Sequence, residues 1–259
     1  IGLHSVYHPQ SALSEGIWDY FLVAPLFAAA DEEPVANVQS LYLVGLAGGT
    51  VAQLYTRAYG PIPIDGAELD PAIVEVARTH FRLDALPNVH AAAADGRRYL
   101  LAQPADRRYS VIAVDAYRPP YIPFHLATVE FFRLARDHLT ENGVVAVNAA
   151  RSRDDYRLVN ALAATMAQVF PSVYAVDPPD DGSSLGNTLL VATVQPTSLA
   201  DFRANAAALD PAAQPLLAEV ARRALATARP IAVEGPVLTD DRAPIEQIVH
   251  AIVLRYFLE

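Results

Sequence analysis

The sequence predicts a doubly wound α/β domain built on a mostly parallel sheet of seven strands. From about residue 40 to 195, short continuous apolar runs alternate with helical stretches. Strands that read as unbroken apolar runs are buried on both faces, which requires helices on each side of a parallel sheet. With 53% hydrophobic and 19% charged residues in 259, the chain can also bury a substantial core.

The expected strands are 41–44, 64–67, 89–93, 111–114, 144–147, 173–176 and 188–194, each a Val-, Ile-, Leu- or Ala-rich run. Helices are expected over 50–59, 71–81, 96–101, 128–139 and 154–169. Pro71 suits a first helical turn, and Pro171 stops the helix before it. No long helix separates the last two strands, which predicts an antiparallel strand at the sheet edge. A helix is expected around 17–27, and residues 196–230 are alanine-rich and helical. The run 245–258 suits either the core or an interface. The organisation is an N-terminal remnant and helix over 1–40, a nucleoside-binding catalytic domain over 41–195, and C-terminal helices packed on it over 196–259.

Charge and composition narrow the function. The formal net charge of -10 argues against a nucleic-acid surface, which needs a basic face. There is no cysteine, and all 19 basic residues are arginine, so thiolate and lysine Schiff-base chemistry have no residue to use. The seven histidines show no metal-ligand spacing, and no metal is expected. No apolar run reaches the roughly 18–20 residues a membrane helix needs. The reading is a cytoplasmic protein, without membrane or nucleic-acid partner, with a preceding piece expected because the chain begins with Ile1.

Ligands of open parallel sheets bind outside the carboxyl ends of the strands. The first strand ends in Gly45-Leu46-Ala47-Gly48-Gly49-Thr50, a small-residue turn opening a helix whose free N–H groups favour an anionic or polar ligand. The second ends in Glu68-Leu69-Asp70, the third in Asp95-Gly96 and the fourth in Asp115. Glu68 lies 23 residues after Gly45, about the interval for an acid that accepts from ribose hydroxyls. Asp95 is placed to accept from an exocyclic amine, and equally suits a cap on the helix after it. Asp70 before Pro71 reads as an ordinary cap. Asp115 precedes a loop with three prolines, Pro119, Pro120 and Pro123, and residues Arg118 to Phe124 are the expected stiffened cover over the acid.

These pieces resemble the spermidine synthase family, the polyamine aminopropyltransferases, and within it bacterial spermidine-synthase-like proteins, some of them fused to membrane transporter segments. The resemblance rests on the turn at 45–49, Glu68-Leu69-Asp70, Asp95-Gly96, Asp115 with its loop, and Leu126-x-Thr128-x-Glu130-Phe131-Phe132. It covers roughly residues 1–195, with 238–246 as a further match. It implies a Rossmann-like, class I methyltransferase-type fold and a decarboxylated S-adenosylmethionine donor, whose aminopropyl group goes to a small-molecule amine or other nucleophile. It makes Asp115 the base that deprotonates the amine and Gly45, Ala47, Gly49, Glu68, Asp95 and Gly96 the donor site. Tyr20, Tyr117, Arg118, Tyr121, His125 and Asp240 become substrate or lid residues. Family members commonly form homodimers.

Four departures bear on the acceptor. Arg118 stands where the family has a second aspartate, Gly48 where it has an aspartate within the turn, and Ala47 where it has the central glycine. Tyr20 is followed by Phe21 and Leu22 instead of the family's His-Glu. Each missing carboxylate would contribute about 1.5–3 kcal/mol through a charged hydrogen bond, so ordinary putrescine is not the expected acceptor. The alternatives are an S-adenosylmethionine-dependent methyltransferase, for which Arg118 could meet an anion, and a non-catalytic nucleoside-binding homologue.

Overall fold

The computed structural model describes residues 5–7, 11–117, 122–179 and 185–258, the last four by backbone alone. Its centre is a sheet in the order β3-β2-β1-β4-β5-β7-β6-β8. The strands are β1 (Leu41–Val44), β2 (Ile64–Glu68), β3 (Val89–Ala93), β4 (Tyr109–Val114), β5 (Leu139–Ser152), β6 (Ser172–Val176), β7 (Leu185–Thr193) and β8 (Arg229–Pro230). The first five pair in parallel, and β7 runs antiparallel between β5 and β6.

Two expectations are corrected here. The sheet has eight strands, not seven, because Arg229 and Pro230 add a short strand to β6. Two residues ending in proline carry no periodic signal, and proline is tolerated only at such an edge. Of the last two expected strands, the antiparallel one, β7, lies inside the sheet between β5 and β6, and the antiparallel edge is formed by the short β8. The pairing of β7 also explains the length of β5: Val144 to Ser152 pairs residue by residue with Thr193 to Leu185, carrying β5 beyond the apolar run at 144–147.

Side chains alternate between two cores. Leu41, Leu43, Val111, Ala113, Val144 and Ala146 face one side, and Tyr42, Val44, Ile112, Val114, Val145 and Val147 face the other. The first core is covered by α2 (Thr50–Tyr59), α7 (Leu199–Ala207), α8 (Pro215–Leu225) and the segment 17–27. The second is covered by α4 (Gly96–Leu101), α5 (Val129–Asp137), α6 (Arg157–Met166) and α9 (Ile245–Leu258), of which Ile245, Val249 and Ile252 are buried. The remaining helix, α3 (Pro71–His80), packs on β2 and β3.

The expected helix at 17–27 is one α-helical turn, α1 (Ile17–Tyr20), followed by a 3-10 segment, Phe21–Phe27, that contains Pro25. Proline has no N–H to donate, and an α-helix through position 25 would lose a bond. Phe21, Leu22, Leu26 and Phe27 are fully buried, with Phe27 stacked on Phe202 of α7. No described helix is long and apolar enough to cross a membrane.

Candidate active site

The chain leaves β1 outward to β2 and β3 and then returns to β4, so β1 and β4 lie side by side at the point where strand order reverses. Val44 pairs with Val114, and Asp115 N–H donates to Val44 O at 2.8 Å. The glycine turn and Asp115 therefore emerge together. Gly45 has φ +87°, and a Cβ there would lie 2.5 Å from the carbonyl oxygen of Asp115. Only glycine allows that approach.

Asp115 is half-buried, and each carboxylate oxygen has one donor. Trp18 Nε1 donates to Oδ2 at 2.9 Å, and Asn148 Nδ2 donates to Oδ1 at 2.8 Å. Burial pushes the carboxyl from 3.8 up to about 7, against the opposing pull of the Asn148 and Trp18 hydrogen bonds. A carboxyl poised there can take up and release protons at neutral pH.

Asn148, inside β5 where its apolar run ends, is itself held. Asn187 Nδ2 on β7 donates to Asn148 Oδ1 at 2.8 Å, while Tyr117 OH donates to Asn148 O at 2.8 Å and accepts from Ala150 N–H at 2.9 Å. The β4–β5 register ends at Val114–Val147, and the Tyr117 hydroxyl continues it with a side chain. Tyr117 is thus clamped immediately before the proline loop, its hydroxyl pushed well up by burial and then by the nearby Asp115 charge. Arg118 and Tyr121 lie outside the described residues.

Glu68, buried at the β2 exit, accepts from Ala47 N–H at 2.9 Å through Oε2 and from Asp70 N–H at 3.3 Å through Oε1. Ala47 has φ +45°, a left-handed conformation unfavourable for a residue with a Cβ, and the charged hydrogen bond offsets that strain. Gly49 is also left-handed, at φ +82°, and precedes the first turn of α2. Asp70 caps α3 as expected, accepting from Ala72 N–H at 2.8 Å.

Asp95 caps α4 through Oδ1, which accepts from Arg98 N–H at 2.9 Å, and its Oδ2 lies 2.7 Å from His125 Nε2. Gly96 is buried beneath, where a Cβ would meet Val44 Cγ1 at 2.5 Å. Asp240 belongs to an adjoining network: it accepts both Arg97 terminal nitrogens at 2.7 Å and Thr128 Oγ1 at 2.7 Å, and Arg97 also donates to His125 O at 3.1 Å. The hydrogen bonds from Arg97 hold the Asp240 carboxyl below its usual range. In this arrangement Asp240 fastens the chain after β8 to the start of α5.

The Tyr20 hydroxyl is buried and has no hydrogen-bond partner among the described residues, and burial pushes its pKa up. Trp18, two residues earlier, reaches Asp115 instead. At Gly48 a Cβ would lie 2.7 Å from the Phe81 ring and 2.8 Å from Ser5 Cβ, and Ser5 Oγ accepts the Gly48 N–H at 2.8 Å. A side chain at position 48 has no room in this arrangement.

Sequence reasoning missed Trp18, Asn148 and Asn187. Trp18 reads as core because it lies in an apolar stretch, and it is indeed packed in the first core as well. Asn148 carried a usable signal: it is the polar residue closing the apolar run of β5, as Glu68, Asp95 and Asp115 follow the runs before it. Among the described residues, no group of three or more His, Cys, Asp and Glu could hold a metal ion.

No family model matches the sequence. A probable polyamine aminopropyl transferase of Bifidobacterium longum (strain NCC 2705) is 35% identical over 170 residues, covering 65% of this chain and 36% of the relative. The polyamine aminopropyltransferase of Vibrio vulnificus (strain CMCP6) is 28% identical over 186 residues, covering 70% of this chain and 60% of the relative. The chain thus spans about a third of the first relative's length and three fifths of the second's. Among solved structures, a probable spermidine synthase from Corynebacterium glutamicum ATCC 13032 superposes with TM-score 0.60 at 22% identity, over 84% of this chain and 80% of that one. Human methyltransferase-like protein 13, in complex with SAH, gives TM-score 0.61 at 22% identity, over 83% and 94%. At these identities the two structures speak for the Rossmann-like fold alone.

Proposed function

We propose that this chain, placed in the spermidine synthase family (the polyamine aminopropyltransferases) by its curated relatives, transfers an aminopropyl group from decarboxylated S-adenosylmethionine to an amine other than putrescine. The observation that carries this reading is Asp115, held between Trp18 and Asn148 beside the glycine turn with its carboxyl near neutrality. In the reaction the amine nitrogen attacks the propyl carbon next to the sulfonium. The carbon–sulfur bond breaks, methylthioadenosine leaves, and the amine proton passes to Asp115. A carboxylate suits that step because it first attracts the alkylammonium and then accepts its proton.

Glu68 is the ribose acceptor in this reading, and the turn at 45–49 contributes free N–H groups. Asp95 receives the exocyclic amine once the His125 contact is shared or released. The tight packing around Gly48 supports an altered amine end, because the family's carboxylate cannot be accommodated there with Ser5 and Phe81 in place. The acceptor is therefore held by fewer charges than a diamine would need.

The test is calorimetric titration with decarboxylated S-adenosylmethionine and with S-adenosylmethionine under identical conditions. Tighter binding of the decarboxylated donor is expected. Tighter binding of the intact donor would move the assignment to methyl transfer, and binding of neither would refute the adenosyl site.

A further inference from the structure

We propose that Asn187 and Asn148 form a directional amide relay that positions Asp115, with Asn187 acting only through Asn148. The inference deepens the reading of Asp115 as base and rests on it for its catalytic meaning.

A side-chain amide has two orientations of nearly equal shape, one presenting donors and the other an acceptor. Turned the wrong way, Asn148 would aim its oxygen at a carboxylate. Asn187 removes that freedom: its Nδ2 donates to Asn148 Oδ1 at 2.8 Å, so the remaining Nδ2 of Asn148 faces Asp115 Oδ1 at 2.8 Å. The sheet enforces the geometry. Asn148 pairs with Leu189 across β5 and β7, so Asn187 is its diagonal neighbour on the same face. The Asn148 backbone is fixed separately by the Tyr117 hydroxyl.

The groups facing Asp115 from each side are few. Tyr117 faces it from its own loop and stays neutral, Trp18 from α1, and Asn148 from β5, with Asn187 behind it on β7. The Gly45 backbone packs against the Asp115 main chain. With one donor on each oxygen, the carboxylate keeps lone pairs for an incoming proton.

Trp18 is the chain's single tryptophan and donates to Asp115, so its fluorescence reports that carboxyl without any substrate. In the unmodified protein a titration should show an inflection near 7 that Asp115→Asn removes. Asn148→Ala should move it up by about one pH unit and Asn187→Ala by about half to one, because each weakens a hydrogen bond to the charged form. The double variant should match Asn148→Ala alone. Asn187→Ser retains a donor and should return the inflection part of the way, and it also serves if the alanine variant folds poorly.

An inflection unmoved by Asn187→Ala, or additive shifts in the double variant, would overturn the relay. So would an inflection that survives Asp115→Asn, since it would belong to another group. With turnover, Asn187→Ala should lower kcat/KM about 2- to 5-fold at pH 7, with recovery at higher pH and no change in donor binding. Coupled fluorescence shifts in a protein that turns over no amine would keep the relay and refute Asp115 as base.

Discussion

Asp115→Asn is expected to lower aminopropyl turnover by about 10²–10⁴-fold, the usual contribution of a positioned general base, while leaving donor affinity nearly unchanged. The same substitution should remove a pH dependence from both rate and stability. A base must be ionised, so kcat/KM of the unmodified protein should rise with pH through about 7 and then level off. Stability should move the opposite way. The carboxyl titrates at about 7 when folded and at 3.8 in its ordinary state, so the fold favours the protonated acid. That contribution is fully present below about pH 4, is lost as pH rises to about 7, and is constant above. The displacement corresponds to roughly 4 kcal/mol, and an asparagine at 115 should flatten that segment of the stability curve. Denaturant midpoints at pH 4, 5.5, 7 and 8.5 for both proteins measure it. Parallel curves would mean that Asp115 is not the group that titrates.

Glu68→Gln should weaken donor binding by about 10–100-fold, with a smaller loss of stability. Glu68 now accepts two backbone N–H groups, from Ala47 and Asp70. Glutamine offers one acceptor and one donor, so an NH₂ would confront one of those N–H groups. The left-handed Ala47 would then lose the charged hydrogen bond that offsets its strain, and the ribose hydroxyls would lose an acceptor. Calorimetry with the decarboxylated donor reads the first effect, and urea unfolding reads the second. An unchanged donor affinity would remove Glu68 from the donor site.

Most of the sheet was legible because each buried parallel strand is a continuous apolar run, and Leu41–Val44 and Val89–Ala93 end where the sequence indicates. What was not legible depends on partners distant in sequence. β5 continues past Val147 through polar Asn148 and Arg151 because β7 pairs with it, and β8 exists only because β6 offers an edge. Pro25 left a visible mark, yet the apolar run around it reads as helix either way. The candidate site divides similarly. Glu68, Asp95 and Asp115 announce themselves as acids at the ends of apolar runs, whereas Trp18 reaches Asp115 across 97 residues and Asn148 across 33. Asp95 shows the limit of that logic, since the same position serves a helix cap and the His125 contact at once.

The central claim is that the β4 acid and the glycine turn together perform aminopropyl transfer. Its most direct test is incubation with decarboxylated S-adenosylmethionine and a panel of monoamines and polyamines, with released methylthioadenosine quantified by chromatography. Amine-dependent methylthioadenosine that disappears in Asp115→Asn is the predicted result. Donor binding with no amine-dependent release from any member of the panel, or release undiminished by Asp115→Asn, would contradict it.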